Sequence, residues 1–298
     1  MTLRNSILLT VAYSAQFSYP LRSRELWLRL LAQASDTRSL EAFVSQLKLL
    51  VSSGWLRFYD GQFFLPGHET DISLRAASEK RAKQKRRQVA QVVSLCRHIP
   101  WVVGLAVTGS VAMHQARETD DLDFLVVTQP RRLWITRAVL VGISILLGKY
   151  RSRKNAHTSG WCFNMWLESS QLALSSDKHT LYTAYEVLQA DWVLQVSQVQ
   201  QMFLQANAWV ASVIPLGFNQ KVSRSKQVDN RSYLGIFLLM VSAPFIDASN
   251  FLAYLLQQWY MRQAMTREVV GFSQAFFHPR DTHRDITLRW RNYLESIT

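Results

Sequence analysis

The chain has 298 residues, 48% of them hydrophobic and 18% charged, with 10 Trp and 15 Phe, a composition that excludes a disordered polymer and can build a sizeable core or two. Its 34 basic and 21 acidic residues leave a formal net charge of +13, so its field attracts polyanions such as nucleic acid, nucleoside triphosphates or anionic lipid without choosing among them. Cys96 and Cys162 each lie in an apolar run and in no Cys/His metal spacing, which argues against a disulfide framework or thiolate zinc site and for buried, reduced thiols in a cytoplasmic setting.

The apolar stretch at residues 6–13 is short for a secretion signal, and Tyr13 is too large for its place before a cleavage after Ala15. Helical spacing instead predicts a helix over residues 4–17, broken by Tyr19-Pro20. Ser23, Glu25 and Leu26 open a second helix that carries Trp27, Leu30 and Leu31. Ser39 caps a third, with Leu40, Phe43, Leu47 and Leu50 on one face until Gly54 ends it. The β-prone residues 55–59 and 62–65 flank Asp60-Gly61, the dipeptide of a tight hairpin. Three short helices and a hairpin are the layout of a winged helix, expected over residues 1–70. Its third helix has Lys48 as its one basic residue, set against Glu41, so contact with a protein partner or scaffolding is expected of it before base reading in DNA.

Residues 73–99 read as one helix with the densest positive run of the chain: Lys80, Arg81, Lys83, Lys85, Arg86 and Arg87. Such a row is either a solvated face or a surface that tracks the phosphates of nucleic acid or another polyanion. After Pro100, the β-branched stretch 101–108 runs straight into Gly109-Ser110 and then a short helix over 111–115. A strand, tight turn and helix start presents backbone N–H groups and a hydroxyl, an arrangement suited to nucleotide phosphates. Next comes Asp120-Asp121-Leu122-Asp123 at the head of the apolar run 124–127. Side chains alternate along a strand, so Asp121 and Asp123 share one face, opposite Leu122 and Phe124. Two carboxylates beside a phosphate-binding turn are what metal-assisted phosphoryl transfer requires.

Gly109-Ser110 followed by Asp121-Leu122-Asp123 within an apolar strand resembles the signature of the DNA polymerase β nucleotidyltransferase superfamily. The resemblance implies an α+β fold with a mixed sheet and flanking helices over residues 71–215. It also implies transfer of a nucleoside monophosphate from a nucleoside triphosphate to an acceptor. Gly109 and Ser110 would then hold the β- and γ-phosphates, and Asp121 and Asp123 would hold Mg²⁺ or Mn²⁺. The wider layout is similar to bacterial proteins in which a winged helix precedes such a domain. The matching points are Tyr19-Pro20-Leu21, the wing glycines Gly61 and Gly67, Gly109-Ser110-Val111-Ala112, Cys162-Phe163-Asn164 and Phe277-His278-Pro279.

The superfamily's third carboxylate belongs on a later strand, reached here after a helix over 131–148 and a basic loop with Lys149, Arg151, Arg153 and Lys154. That loop is a candidate for holding triphosphate or acceptor. Residues 160–168 read as the strand, and Asn164 stands where the third acid should be, with Glu168 farther along the same face by parity. Asn brings no charge and cannot act as a base, which opens a second reading: a degenerate fold that senses a nucleotide or binds nucleic acid or protein. His157 and His278 read as ordinary hydrogen-bonding residues. Residues 181–216 and 232–296 read as helices, the C-terminal region from 216 among them, whose aromatic faces, with Trp259, Tyr260 and Trp290, are expected to cover the sheet. The apolar run 233–246 contains Pro244, ends at Asp247 and is too short to span a bilayer, so a buried helix is expected, with peripheral membrane attachment through this segment and the basic runs as the lesser alternative.

Overall fold

In the computed structural model the chain is described over residues 1–31, 39–150, 160–224, 234–262, 269–277 and 286–290, the side chains of 234–244 and 269 excepted. Arg151, Arg153, Lys154, His157 and His278 lie outside these residues. The N-terminal elements are α1 (Leu3–Ala15), β1 (Leu21–Arg22), α2 (Ser23–Arg29), α3 (Leu40–Ser52), β2 (Arg57–Tyr59) and β3 (Gln62–Phe64). Ser39 Oγ accepts from the Ala42 amide at 3.4 Å and so caps α3. The hairpin turn falls on Asp60 and Gly61, both with positive φ (49° and 71°), the backbone that a two-residue turn between right-twisted strands demands. The strands form an antiparallel sheet in the order β1-β3-β2.

The basic helix divides into α4 (Asp71–Arg86) and α5 (Val89–Arg97). Buried residues on α4 are few, whereas Val89, Val92 and Cys96 of α5 enter the core, so the apolar stripe restarts after Arg87 and the helix axis breaks with it. Arg75 of α4 is 2% exposed. It pairs with Glu25 at 2.7 Å and Glu79 at 2.8 Å and donates to the Pro20 carbonyl, which ties α4 to the head of α2.

The large sheet holds β4 (Val102–Thr108), β5 (Leu122–Thr128), β6 (Trp161–Glu168), β7 (Asp191–Gln195), β8 (Val269–Val270) and β9 (Gln274–Phe276), in the order β7-β4-β5-β6-β9-β8. It is mixed: β5 and β6 are parallel and the other neighbours antiparallel. Its helices are α6 (Gly109–Ala112), α7 (Leu133–Leu146), α8 (Leu181–Gln189), α9 (Val199–Ala206), α10 (Pro215–Ser223) and α11 (Leu234–Arg262). The chain is therefore α+β, with β7, β8 and β9 standing where sequence periodicity read helix. Those strands are two to five residues long, too short to carry an alternation of their own.

Both faces of the sheet are covered. Leu122, Phe124 and Val126 enter one apolar cluster with α5 and α7, while Leu125 and Val127 enter another with α8 and α9. Helix α1 belongs to two cores: Leu9 and Tyr13 lie in the α8/α9 cluster, and Ile7, Leu8 and Val11 in the N-terminal one. Residues 6–14 are buried throughout. Two polar members of that run are satisfied by the end of the α2 segment, Ser6 Oγ donating to the Leu31 carbonyl at 2.6 Å and Thr10 Oγ1 accepting from the Leu31 amide at 3.2 Å. The expected N-terminal unit is thus built into the larger body through its first helix. The C-terminal helix departs from expectation too, because Trp259 and Tyr260 are exposed and do not cover the sheet. Trp290 does pack inward, its indole N–H on the Leu9 carbonyl at 3.3 Å.

Candidate active site at the ends of β4, β5 and β6

Strand β4 delivers Thr108 beside Asp123 at the head of β5, and β6 sets Cys162 on the other side of Asp123. Directly after Thr108 the backbone turns at Gly109 with φ +62°, and a Cβ there would meet Asp123 Oδ2 at 2.3 Å. Glycine is required on both counts: φ is left-handed, and the carboxylate occupies the space a side chain would need. The turn and the carboxylate are therefore one packed unit. Helix α6 that follows is a single turn.

Asp123 is half-buried. Its Oδ1 accepts from Asn164 Nδ2 at 3.0 Å. Burial pushes its pKa up to about 7, opposed by the Cys162 thiol that donates to it and reinforced by the charges of Glu186 and Asp120. Cys162 is thus half-buried against this carboxylate and not an inert core thiol. Asp121 is 3% exposed and precedes the strand proper. Its Oδ1 accepts from the Gly160 amide at 3.0 Å and so fastens the start of β6 to β5.

The position of Asn164 has a local cause. Phe124 faces Phe163 and Leu125 faces Met165, so the β5/β6 register slips at Asn164. The extra residue is a bulge, which re-aims its own side chain and reverses the parity of those after it. Phe163 and Trp166 consequently share one cluster, and Met165 and Leu167 the other. Glu168 therefore leaves from the face opposite Asp123. It lies level with Thr128, the far end of β5, and accepts from the Arg131 amide at 2.7 Å ahead of α7. Glu168 is a structural acceptor at a helix start and stands away from the aspartates, contrary to the parity reading.

A cavity of about 270 Å³ opens beside Gly109 and Ser110, walled by Tyr13 from α1, by Phe17 in the turn that follows it, and by Tyr182 and Glu186 from α8. Tyr182 donates to Glu186 Oε1 at 3.0 Å. Burial and the Glu186 charge hold that phenol protonated, and the Asp123 charge adds to this. Tyr13 stacks on Tyr185 with ring centroids 4.4 Å apart, and Gln115 Nε2 donates to the Phe17 carbonyl at 2.6 Å. Sequence reasoning passed over Glu186, which arrives from a helix far along the chain. The one trace of it was the Tyr182/Glu186 spacing of four on a helical face.

The basic run divides by role. Lys80, Arg81, Lys83 and Arg87 are exposed. Lys85 instead donates to the carbonyls of Glu118 and Asp120 at 2.8 and 2.7 Å, bracing the loop that leads into Asp121, and Arg86 pairs with Asp191. These two are committed inside the fold. Of the basic loop, Lys149 is described and is half-buried.

Among the described residues no group of three or more His, Cys, Asp or Glu could hold a metal ion. The oxygen set around Asp123 nevertheless fits a hard cation. Asn164 Oδ1 and Thr108 Oγ1 are buried there with no hydrogen-bond donor, and Asp123 carries a pKa that a bound cation would bring down.

Comparison of the chain with protein-family models, curated proteins and solved structures finds no match.

Proposed function

We propose that the chain is a nucleotidyltransferase of the DNA polymerase β type, using Mg²⁺ or Mn²⁺ to move a nucleoside monophosphate from a nucleoside triphosphate to an acceptor. The observation that carries the reading is the contact between the Gly109 turn and Asp123, so close that no side chain fits between them. The strand arrangement supports it: antiparallel β4 and β5, then parallel β6 carrying Asn164 to Asp123. Three helices with the small β1-β3-β2 sheet support a winged helix in front.

In this reading Gly109 N–H and Ser110 hold the β- and γ-phosphates, while Tyr13, Phe17 and Tyr182 close the cavity against water. Asp123, Asp121 and the Asn164 amide oxygen hold the metal, which when bound neutralises charge on the phosphates and lowers the pKa of the attacking hydroxyl. Rotation of the Asn164 amide would turn Oδ1 toward the point that Nδ2 now faces. Glu186, on the cavity wall with Ser110, is the carboxylate placed to take the acceptor's proton.

Asn164 in the third acid's place, donating to Asp123, also favours a second reading, a degenerate fold that binds a nucleotide without transferring it. Nucleoside triphosphates labelled at the α-phosphate, incubated with the protein, Mn²⁺ and a cell extract, separate the two. Transfer expects label on an acceptor, lost in Asp123→Asn. Saturable nucleotide binding with no labelled product establishes the second reading, and no nucleotide binding at all rejects both.

A further inference from the structure

Over residues 245–262, helix α11 turns Asp247, Asn250 and Gln257 inward beside Ala253, Tyr254 and Met261, and leaves a row of large apolar side chains in solvent. Asn250 is fully buried, and its Oδ1 accepts from the Trp134 and Ile135 amides at 2.8 and 3.1 Å. Gln257 donates to the Trp134 carbonyl at 2.9 Å and accepts from Arg137, and Asp247 pairs with Arg131 and Arg132. The opposite side presents Phe245, Leu252, Leu255, Leu256, Trp259 and Tyr260, all exposed, Trp259 by 67%. At 3.6 residues per turn these six fall on one half of the helix.

The pairs Arg132–Asp247, Trp134–Asn250 and Arg137–Gln257 advance in the same direction along both helices, so α7 and α11 run the same way and their C-terminal ends point to one side. There α7 ends in Ile145, Leu146 and Leu147, exposed by 57, 87 and 56%. Lys149 follows them, and Arg262 closes α11 as the sole charge among the exposed described side chains of residues 245–262. Among the described residues no acid stands on this face.

We propose that the outer face of α11, with the α7 tip, docks the protein on the surface of an anionic lipid bilayer. The face supplies the side chains that a membrane interface takes: aliphatics for the acyl chains, Trp and Tyr for the headgroup boundary, and Lys149 and Arg262 for anionic headgroups. A second copy of the chain is disfavoured by charge, because the described residues of each face bring cations and no acid to pair with them. No described helix is long and apolar enough to cross a membrane, so the attachment is in the interface plane. The expectation of a buried helix over 233–246 falls almost wholly on side chains outside the described ones, and the proposal does not depend on the nucleotidyl-transfer reading.

The test is flotation of the full chain with vesicles of phosphatidylcholine alone or mixed with phosphatidylserine. Binding is expected to the mixed vesicles, about tenfold tighter than to phosphatidylcholine and weaker in high salt. Trp259→Glu with Leu146→Glu should reduce it about tenfold or more. Both positions face solvent, so an unchanged thermal melt separates lost binding from lost folding. If the double variant unfolds, Lys149→Glu with Arg262→Glu replaces it, and the same weakening is expected. Absence of binding to either vesicle, equal binding to both, or binding indifferent to the substitutions overturns the proposal. So does a dimer in sizing chromatography that the double variant dissociates while vesicles are ignored.

Discussion

A methyl group at residue 109 would stand 2.3 Å from Asp123 Oδ2 and would have to accept a φ of +62°. Gly109→Ala is therefore expected to lower stability by about 2 kcal/mol or more, measured by urea unfolding, and a variant as stable as the parent would show that the turn can yield. Asp123 adds a pH dependence with a definite sign. Its folded pKa of about 7 lies above the ordinary carboxylate value, so between roughly pH 4 and 7 the folded chain holds a proton that the unfolded chain has released. This contribution is fully present below the unfolded value and is lost as pH rises through about 7. Metal-free protein should accordingly lose stability over that window, Asp123→Asn should flatten the profile, and Mn²⁺ should offset the loss on the alkaline side. At this scale the Gly109 turn and the closeness of Asp123 to it were legible because the two are near neighbours in the chain. Glu186 was not, since only the packing of α8 against the strand ends brings it near Asp123.

Among the elements, the basic helix illustrates how charge in a sequence conceals role. Lys85 and Arg86 read like their neighbours, yet Lys85 braces the Glu118 and Asp120 carbonyls and Arg86 reaches Asp191. Lys85→Ala should cost about 1 to 2 kcal/mol, because it leaves two carbonyls without their charged donor, whereas Lys80→Ala and Arg81→Ala should change stability by about 0.5 kcal/mol or less. Thermal unfolding of the three variants checks the contrast, and equal effects would contradict it. Helices α1 to α3, the Asp60-Gly61 hairpin and strands β4 and β5 were legible, since caps, left-handed turn residues and period-two alternation are written locally. The bulge at Asn164 was not. A register slip is decided by the neighbouring strand, and it reversed the parity on which Glu168 had been read. Strands β7, β8 and β9 escaped for a similar reason: they are strands because an edge was there to pair with.

For the molecule as a whole, α1 sets the unit of folding. Tyr13 is buried, stacks on Tyr185 and lines the same cavity as Ser110, so residues 1–70 are not a detachable module in front of the site. Tyr13→Ala should cost about 3 kcal/mol or more and still leave a single unfolding transition in calorimetry, and two resolved transitions would contradict the shared core. The central claim, a metal-nucleotide site built on Asp123 and the Gly109 turn, is tested most directly by electron paramagnetic resonance titration of Mn²⁺ with a nucleoside triphosphate present. The account predicts saturable Mn²⁺ binding that Asp123→Asn abolishes and Glu168→Gln leaves intact. Equal Mn²⁺ binding by the parent and Asp123→Asn, or its loss in Glu168→Gln with the fold preserved, would contradict it.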